Sequence, residues 1–474
     1  MEHVHAFGDD ALDDLDAVGL AEAIQSGRVT RAQAVDAAIA RLHRVNPQLN
    51  GLAYAAFESA RQRADQPPPG RPRFFDGVPT FLKDNVDAAG MPTMQGTDAW
   101  TPHPAAADGD FARLYRALGL NTLGKTQLSE FGFSAAAEHP RIGPVRNPWN
   151  TDYTAAASSS GSAAFVAAGV VPLAHANDGG GSIRIPASCN GLVGLKPTRG
   201  RLPLDKDLRM MPLRIVYNGV LTRSVRDTAA FFREAERLAP ARRLPVVGDV
   251  TGPGRRRLTI AVVTRSITRD ASPEVTELTL QTAALLEDLG HRVEQVADPP
   301  VPAQFADDFL LYWASLATAL VRGGRRMFGP TFDRDKLDNL TLGLDAHARR
   351  HLHRLPLAVA RLAASRRRSA RFFRDYDALL TPTVAEQTPK VGHLDPTADY
   401  EQVIDRLMDW VAFTPLQNAT GDPAISLPLA QTAAGLPQGM MFAAERGAEA
   451  RLLELAFELE EARPWARIQA GAQR

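Results

Sequence analysis

The run Ala174-His175-Ala176-Asn177-Asp178-Gly179-Gly180-Gly181-Ser182-Ile183-Arg184-Ile185-Pro186 constrains this chain more than any other stretch. Residues 170–174 read as a buried apolar strand, and the strand runs into three consecutive residues without a Cβ. Such a loop bends freely and can turn several N–H groups towards one point, which is the backbone requirement of an oxyanion hole. Ser182 stands beside that point as a candidate nucleophile. A tight glycine turn after a strand is the plainer reading of the same residues. A serine hydroxyl also needs a neighbouring base, and the Gly-x-Ser-x-Gly elbow is absent around Ser182.

Two further segments bear on the choice. Gly77-Val78-Pro79-Thr80-Phe81-Leu82-Lys83-Asp84-Asn85 sets Lys83 at the end of an apolar stretch, and Ser158-Ser159-Ser160-Gly161-Ser162 opens a helix of small residues. A lysine acts as a base only when neutral, and burial behind Val78, Phe81 and Leu82 lowers its pKa. An ordinary surface lysine is the alternative. The serine cluster reads equally as a helix N-cap, which is compatible with a catalytic hydroxyl.

Taken in order, Lys83, the serine cluster and Gly180-Gly181-Ser182 resemble the amidase signature family of Ser-cisSer-Lys hydrolases. The resemblance continues through Asn147-Pro148-Trp149-Asn150, Gly191-Leu192-Val193-Gly194-Leu195-Lys196-Pro197-Thr198-Arg199-Gly200, Arg223-Ser224-Val225-Arg226-Asp227 and Asn418-Ala419-Thr420-Gly421-Asp422-Pro423. It covers nearly the whole chain, strongest over about 77–227 and weakest over about 238–379. Within the family, Asn177-Asp178 and Ile185-Pro186-Ala187-Ser188 look most like the 6-aminohexanoate cyclic-dimer hydrolases.

The resemblance implies a catalytic set of Lys83 as base, Ser158 as relay after a cis peptide bond, and Ser182 as nucleophile. It implies an oxyanion hole from the N–H groups of Gly179, Gly180, Gly181 and Ser182, worth on the order of 3–4 kcal/mol per donor. Ser159, Asp178 and Arg184 would support the loop, the last two by pairing. The implied fold is α/β, a large mixed β-sheet core covered on both faces by helices, with residues 1–474 in one domain. The implied reaction is hydrolysis of a carboxamide (small or aliphatic, or a linear or cyclic oligoamide) to a carboxylic acid and an amine or ammonia. It runs through an acyl-enzyme without metal or organic cofactor. Two rivals stay open: the glutaminase subunit of a tRNA-dependent amidotransferase, and a catalytically silent binding protein of the same fold. The second is motivated by Ala155-Ala156-Ala157, where family members commonly carry Pro-Gly-Gly, because alanine resists positive φ.

Composition supports a globular enzyme: 474 residues, 45% hydrophobic and 23% charged, with 54 basic and 54 acidic side chains. Zero formal charge offers no electrostatic argument for nucleic acid or an anionic membrane as partner, and neither is expected; the resemblance implies a small-molecule amide, and the oligomeric state stays open, a homodimer included. The single cysteine, Cys189, reads as a packed residue, and His175 as a satisfied buried histidine. No histidine or cysteine pair has metal-ligand spacing, so no metal is expected. The N-terminal residues lack the apolar core of a signal peptide, which predicts a cytoplasmic protein.

Along the chain, Thr30 and Gln33 predict a capping box before a stripe of Val35, Ile39 and Leu42, and Pro67-Pro68-Pro69-Gly70 an extended loop. Residues 120–123, 258–263 and 293–296 read as strands, with a helix over 272–290 between the last two. Residues 302–376 are helical, aromatic and basic. Phe309, Tyr312, Trp313, Phe328 and Phe332 are candidates for the substrate entrance or for core, and Arg366-Arg367-Arg368 for a solvated helix face.

Overall fold

A computed structural model describes residues 3–66, 70, 72–267, 269–297 and 299–473. Its centre is an eight-stranded mixed sheet in the order Arg292–Gln295, Thr259–Val262, Ala378–Pro382, Pro437–Ala443, Ala424–Gln431, Val193–Lys196, Tyr217–Thr222 and Leu173–Asp178. The first three strands run parallel and the remaining pairings are antiparallel. Side chains alternate between faces along a strand, and here both sets are apolar. Met440 and Phe442 enter one buried cluster while Met441 and Ala443 enter another. A sheet buried on both faces needs cover on both, and helices supply it. Helix Pro273–Asp288, capped by the Ser272 side chain, connects two of the parallel strands as predicted.

The expected capping box is present: Gln33 N–H donates to Thr30 Oγ1 at 3.1 Å and Thr30 N–H to Gln33 Oε1 at 2.8 Å. Val35, Ile39 and Leu42 lie buried along helix Arg31–Leu49. The strand expected from residue 170 begins instead at Leu173, because Pro172 has no N–H to give the ladder. Pro67, Pro68 and Pro69 lie outside the described residues. Arg366, Arg367 and Arg368 are exposed on helix Leu355–Asp375, as a solvated face requires. Among the described residues no helix is long and apolar enough to cross a membrane.

A smaller three-stranded sheet, Leu52–Ala55, Asn121–Thr126 and Pro79–Lys83, stands beside the edge strand Leu173–Asp178. Side chains bridge the two sheets. Thr80 Oγ1 donates to Leu173 O at 3.0 Å, and the His175 ring accepts Lys83 N–H at Nδ1 across 3.2 Å. That bond gives the His175 proton to Nε2, which faces Asn218 Oδ1 at 3.3 Å. Burial drives the His175 pKa down to about 3, so the ring stays neutral. The helix Ser160–Ala167 is apolar or small all round and is buried on every side. It packs so closely that a Cβ on Gly161 would lie 2.2 Å from Gly51 O.

Candidate active site

Three chain segments converge at the end of the edge strand. Lys83 closes strand Pro79–Lys83, Ser158 precedes the buried small-residue helix, and Ser182 lies between strand Leu173–Asp178 and helix Arg184–Asn190. The Ala157–Ser158 peptide bond is cis. Ala156, one residue earlier, has φ 57°, so the alanine triplet adopts the positive φ that its Cβ disfavours.

Lys83 is fully buried, with its Nζ 2.7 Å from Ser158 Oγ. Its other neighbours are Asn177 Oδ1 at 2.7 Å and Asn177 O at 3.5 Å. Both are carbonyl oxygens, which accept and never donate. A neutral amine has two N–H donors and one lone pair. The two Asn177 oxygens take the donors, and the lone pair is left for the Ser158 hydroxyl. Burial, opposed by the attraction of Asp178, lowers the lysine to about 7. Asn177 is itself fixed by a reciprocal amide pair with half-buried Asn85, at 3.0 and 3.2 Å.

The glycine loop is shaped by an ion pair with no exposure on either side. Arg184 Nε and Nη2 each donate to Asp178 at 2.9 Å. Asn418 Nδ2 adds a bond to Asp178 Oδ1 at 2.8 Å, and Asn418 Oδ1 and Gln417 Oε1 accept from Arg184. Burial alone would raise the Asp178 carboxyl, but Arg184 outweighs it and holds the group at about 2. Asp178 also accepts from the N–H groups of Gly181 at 2.8 Å and Ile183 at 3.1 Å. Gly181 N–H, one of the four donors expected for an oxyanion hole, is therefore corrected to a loop-shaping donor already engaged by a carboxylate. Among the described residues, the N–H groups of Gly179, Gly180 and Ser182 have no acceptor within the protein.

Other contacts close the loop from outside. Gly181 has φ 138°, and a Cβ there would lie 2.3 Å from Thr414 Oγ1. Thr414 Oγ1 donates to Gly180 O at 2.6 Å. Ser159 does not cap its helix; its Oγ donates to Ser182 O at 2.5 Å and to Asn177 O at 3.3 Å. No hydrogen bond joins the hydroxyls of Ser158 and Ser182 among the described residues. Ser182 keeps 8% exposure and, with Gly180 and Ala157, forms the floor of a cleft of about 1070 Å³ including its open mouth.

The cleft walls are apolar. Phe305, Phe309 and Trp313 of helix Phe305–Phe328 face Leu407, Met408 and Val411 of helix Tyr400–Val411 across it. Among the described residues no charged side chain lines it. The aromatic cluster of residues 302–376 thus divides. Tyr312 bonds the Leu213 backbone, and Phe328 and Phe332 stack on Trp100 away from the cleft. Cys189 is buried, and burial pushes its thiol up to about 12. Asn85, Asn177, Thr414, Gln417 and Asn418 were not assigned roles from sequence. In the sequence Asn177 carries signal only within the Asn177-Asp178 pair of the subgroup resemblance, and Asn418 only as part of a late motif.

The family model described as Amidase matches residues 33–453. The chain is 71% identical over 471 residues to "Putative amidase AmiC" of Mycobacterium leprae (strain TN), across 99% of this chain and 100% of that one. It is 32% identical over 480 residues to the 6-aminohexanoate-cyclic-dimer hydrolase of Paenarthrobacter ureafaciens, across 95% of each chain. A solved bacterial aryl acylamidase of the amidase signature family superposes with a TM-score of 0.85 at 27% identity, covering 99% of both chains.

Proposed function

The chain belongs to the amidase signature family, and from that premise we propose that it is a serine amidase cleaving an uncharged, largely apolar carboxamide through an acyl-enzyme. The observation that carries this reading is the surroundings of Lys83 Nζ, where two carbonyl oxygens and one hydroxyl leave only Ser158 able to give the lysine a proton. Neutral Lys83 takes the Ser158 proton, Ser158 takes that of Ser182, and the Ser182 oxygen attacks the amide carbon. The Ser158–Ser182 bond forms as substrate seats, since catalytic hydrogen bonds commonly tighten only in the complex. Gly179, Gly180 and Ser182 N–H groups hold the oxyanion. The relay run backwards protonates the departing amine, and water then cleaves the acyl ester to release the acid.

The walls of the cleft favour this substrate class over glutamine. Glutamine carries an ammonium and a carboxylate that would enter a cleft lined, among the described residues, by no charged side chain, and each unpaired buried charge costs several kcal/mol. Uncharged aliphatic, aryl or cyclic oligoamide substrates meet no such cost. The silent-protein reading loses its motive, because Ala156 adopts the φ that was in question and Lys83 remains in reach of Ser158.

Amine or ammonia release from hexanamide, benzamide, glutamine and the 6-aminohexanoate cyclic dimer tests the proposal, with Ser182→Ala beside the native protein. We expect turnover of one or more uncharged amides, little of glutamine, and a loss of at least about 10⁴-fold in the variant. Equal or faster glutamine turnover would reject the apolar-amide reading, and an active Ser182→Ala protein would reject the nucleophile.

A further inference from the structure

Away from the cleft floor, the fold assembles a cluster from two stretches of chain that are remote in sequence. Glu130 lies in the turn Glu130–Gly132, His139 in the following loop, and Asp338 at the N-cap of helix Asn339–His351. All three are more than nine-tenths buried. Glu130 Oε1 accepts the Asp338 N–H at 2.9 Å, whereas Glu130 Oε2 and Asp338 Oδ1 have no hydrogen-bond partner. Those two orphaned oxygens each lie 3.6 Å from His139 Nε2, beyond hydrogen-bond length, and all three atoms fall within 4.8 Å of one another. A point equidistant from them lies about 2.0–2.4 Å from each, the bond length of a divalent cation to nitrogen or oxygen.

The local charges point the same way. Arg141, the nearby fixed cation, is taken up by Asp98 through Nε at 2.8 and 2.9 Å and by Lys336 O. Its Nη2 also contacts His139 Nε2 at 3.4 Å, a contact that ligation would displace, and its side chain is 42% exposed. Asp98 Oδ1 stands 3.8 Å from Nε2, adding a third carboxylate. The Arg141 N–H donates a long bond to His139 Nδ1 at 3.4 Å, and ligation through Nε2 would give up that bond and move the ring proton to Nδ1.

We propose that Glu130, His139 and Asp338 bind one divalent transition cation of the zinc or manganese class. Mixed imidazole and carboxylate donors suit those ions. The site is a clip rather than a reaction centre. Glu130 is two residues from Gly132, which with Phe133 lines the cleft, and Asp338 begins the helix whose Leu340 and Leu344 share a core cluster with Phe133. The ion joins the cleft wall to that helical segment. The expectation of no metal rested on spacing of histidine and cysteine pairs, which cannot register a lone histidine joined to carboxylates, one of them from a remote segment.

The test is metal retention by the full chain. Protein stripped with EDTA, given Zn²⁺ or Mn²⁺ and desalted should keep about one ion per chain by mass spectrometry and gain at least about 2 °C in Tm. His139→Gln and the near-isosteric Asp338→Asn should each lose at least about tenfold in retention, while Ser182→Ala keeps it. Circular dichroism of the variants separates lost ligation from lost folding. If the native protein retains under about a tenth of an ion, or its Tm does not move, the proposal fails whatever the variants do. Undiminished retention in both folded ligand variants places the ion elsewhere and also overturns it.

Discussion

Lys83 and Arg184 are both fully buried beside the same glycine loop, and they differ in every direct contact. Arg184 meets a carboxylate bidentately and two further amide oxygens, so its charge is matched. Lys83 meets only neutral oxygens, and burial takes it down to about 7. The loop therefore holds one permanent cation that shapes it and one basic group whose pKa lies near neutrality. Equal burial thus acts on two different groups, a guanidinium that stays charged and is matched by a carboxylate, and an amine that shifts readily and has none in contact.

Lys83→Ala removes the exchangeable member outright. We expect amide kcat/KM to fall about 10³–10⁴-fold, with a much smaller loss on activated esters, whose leaving groups need less help from the relay. Equal losses on both would break the contrast. Asp178→Asn strips the permanent cation of its partner and should destabilise the fold by about 3–5 kcal/mol in urea unfolding, because a charge stays buried alone. A change under about 1 kcal/mol would show that Arg184 does not depend on the pair.

Asn177→Asp sharpens the comparison by giving Lys83 the kind of partner that Arg184 has. The native base is neutral above its pKa, so amide turnover should rise as pH passes about 7. A carboxylate in contact favours the ammonium, and the rise should move up by at least about one pH unit. An unmoved profile would detach it from Lys83. The smallest effect is expected of Ala156→Gly. It relieves a left-handed alanine but deletes a buried methyl, so stability should change by less than about 1 kcal/mol and kcat by less than about threefold.

Local features were the legible ones. The glycine run and Ser182 declare a loop within a few residues, and the capping box at Thr30 and Gln33 is a four-residue pattern that the structure reproduces. The mixed sheet followed from resemblance, and its first parallel strands from apolar runs around a capped helix. Pairings across the chain were not readable. Asn85 and Asn177 carry no signal of their contact, nor does Asn418 of its bond to Asp178. Nothing in Gly-Gly-Gly reveals that the third N–H turns inward to a carboxylate. Aromatic residues at helical spacing on Phe305–Phe328 look alike in sequence, yet Phe309 and Trp313 face the cleft while Tyr312 ties down a backbone.

The absence of a charged side chain from the described cleft walls also governs what happens after cleavage. If the substrate is the uncharged amide proposed above, then at neutral pH the freed acid ionises and a freed aliphatic amine or ammonia takes up a proton. Both products are thereby made strangers to the surface that held their parent, and desolvation now works to expel them. Turnover in such a site is self-clearing: carboxylic acid products should inhibit weakly at neutral pH and more strongly as acidification returns them to the neutral form.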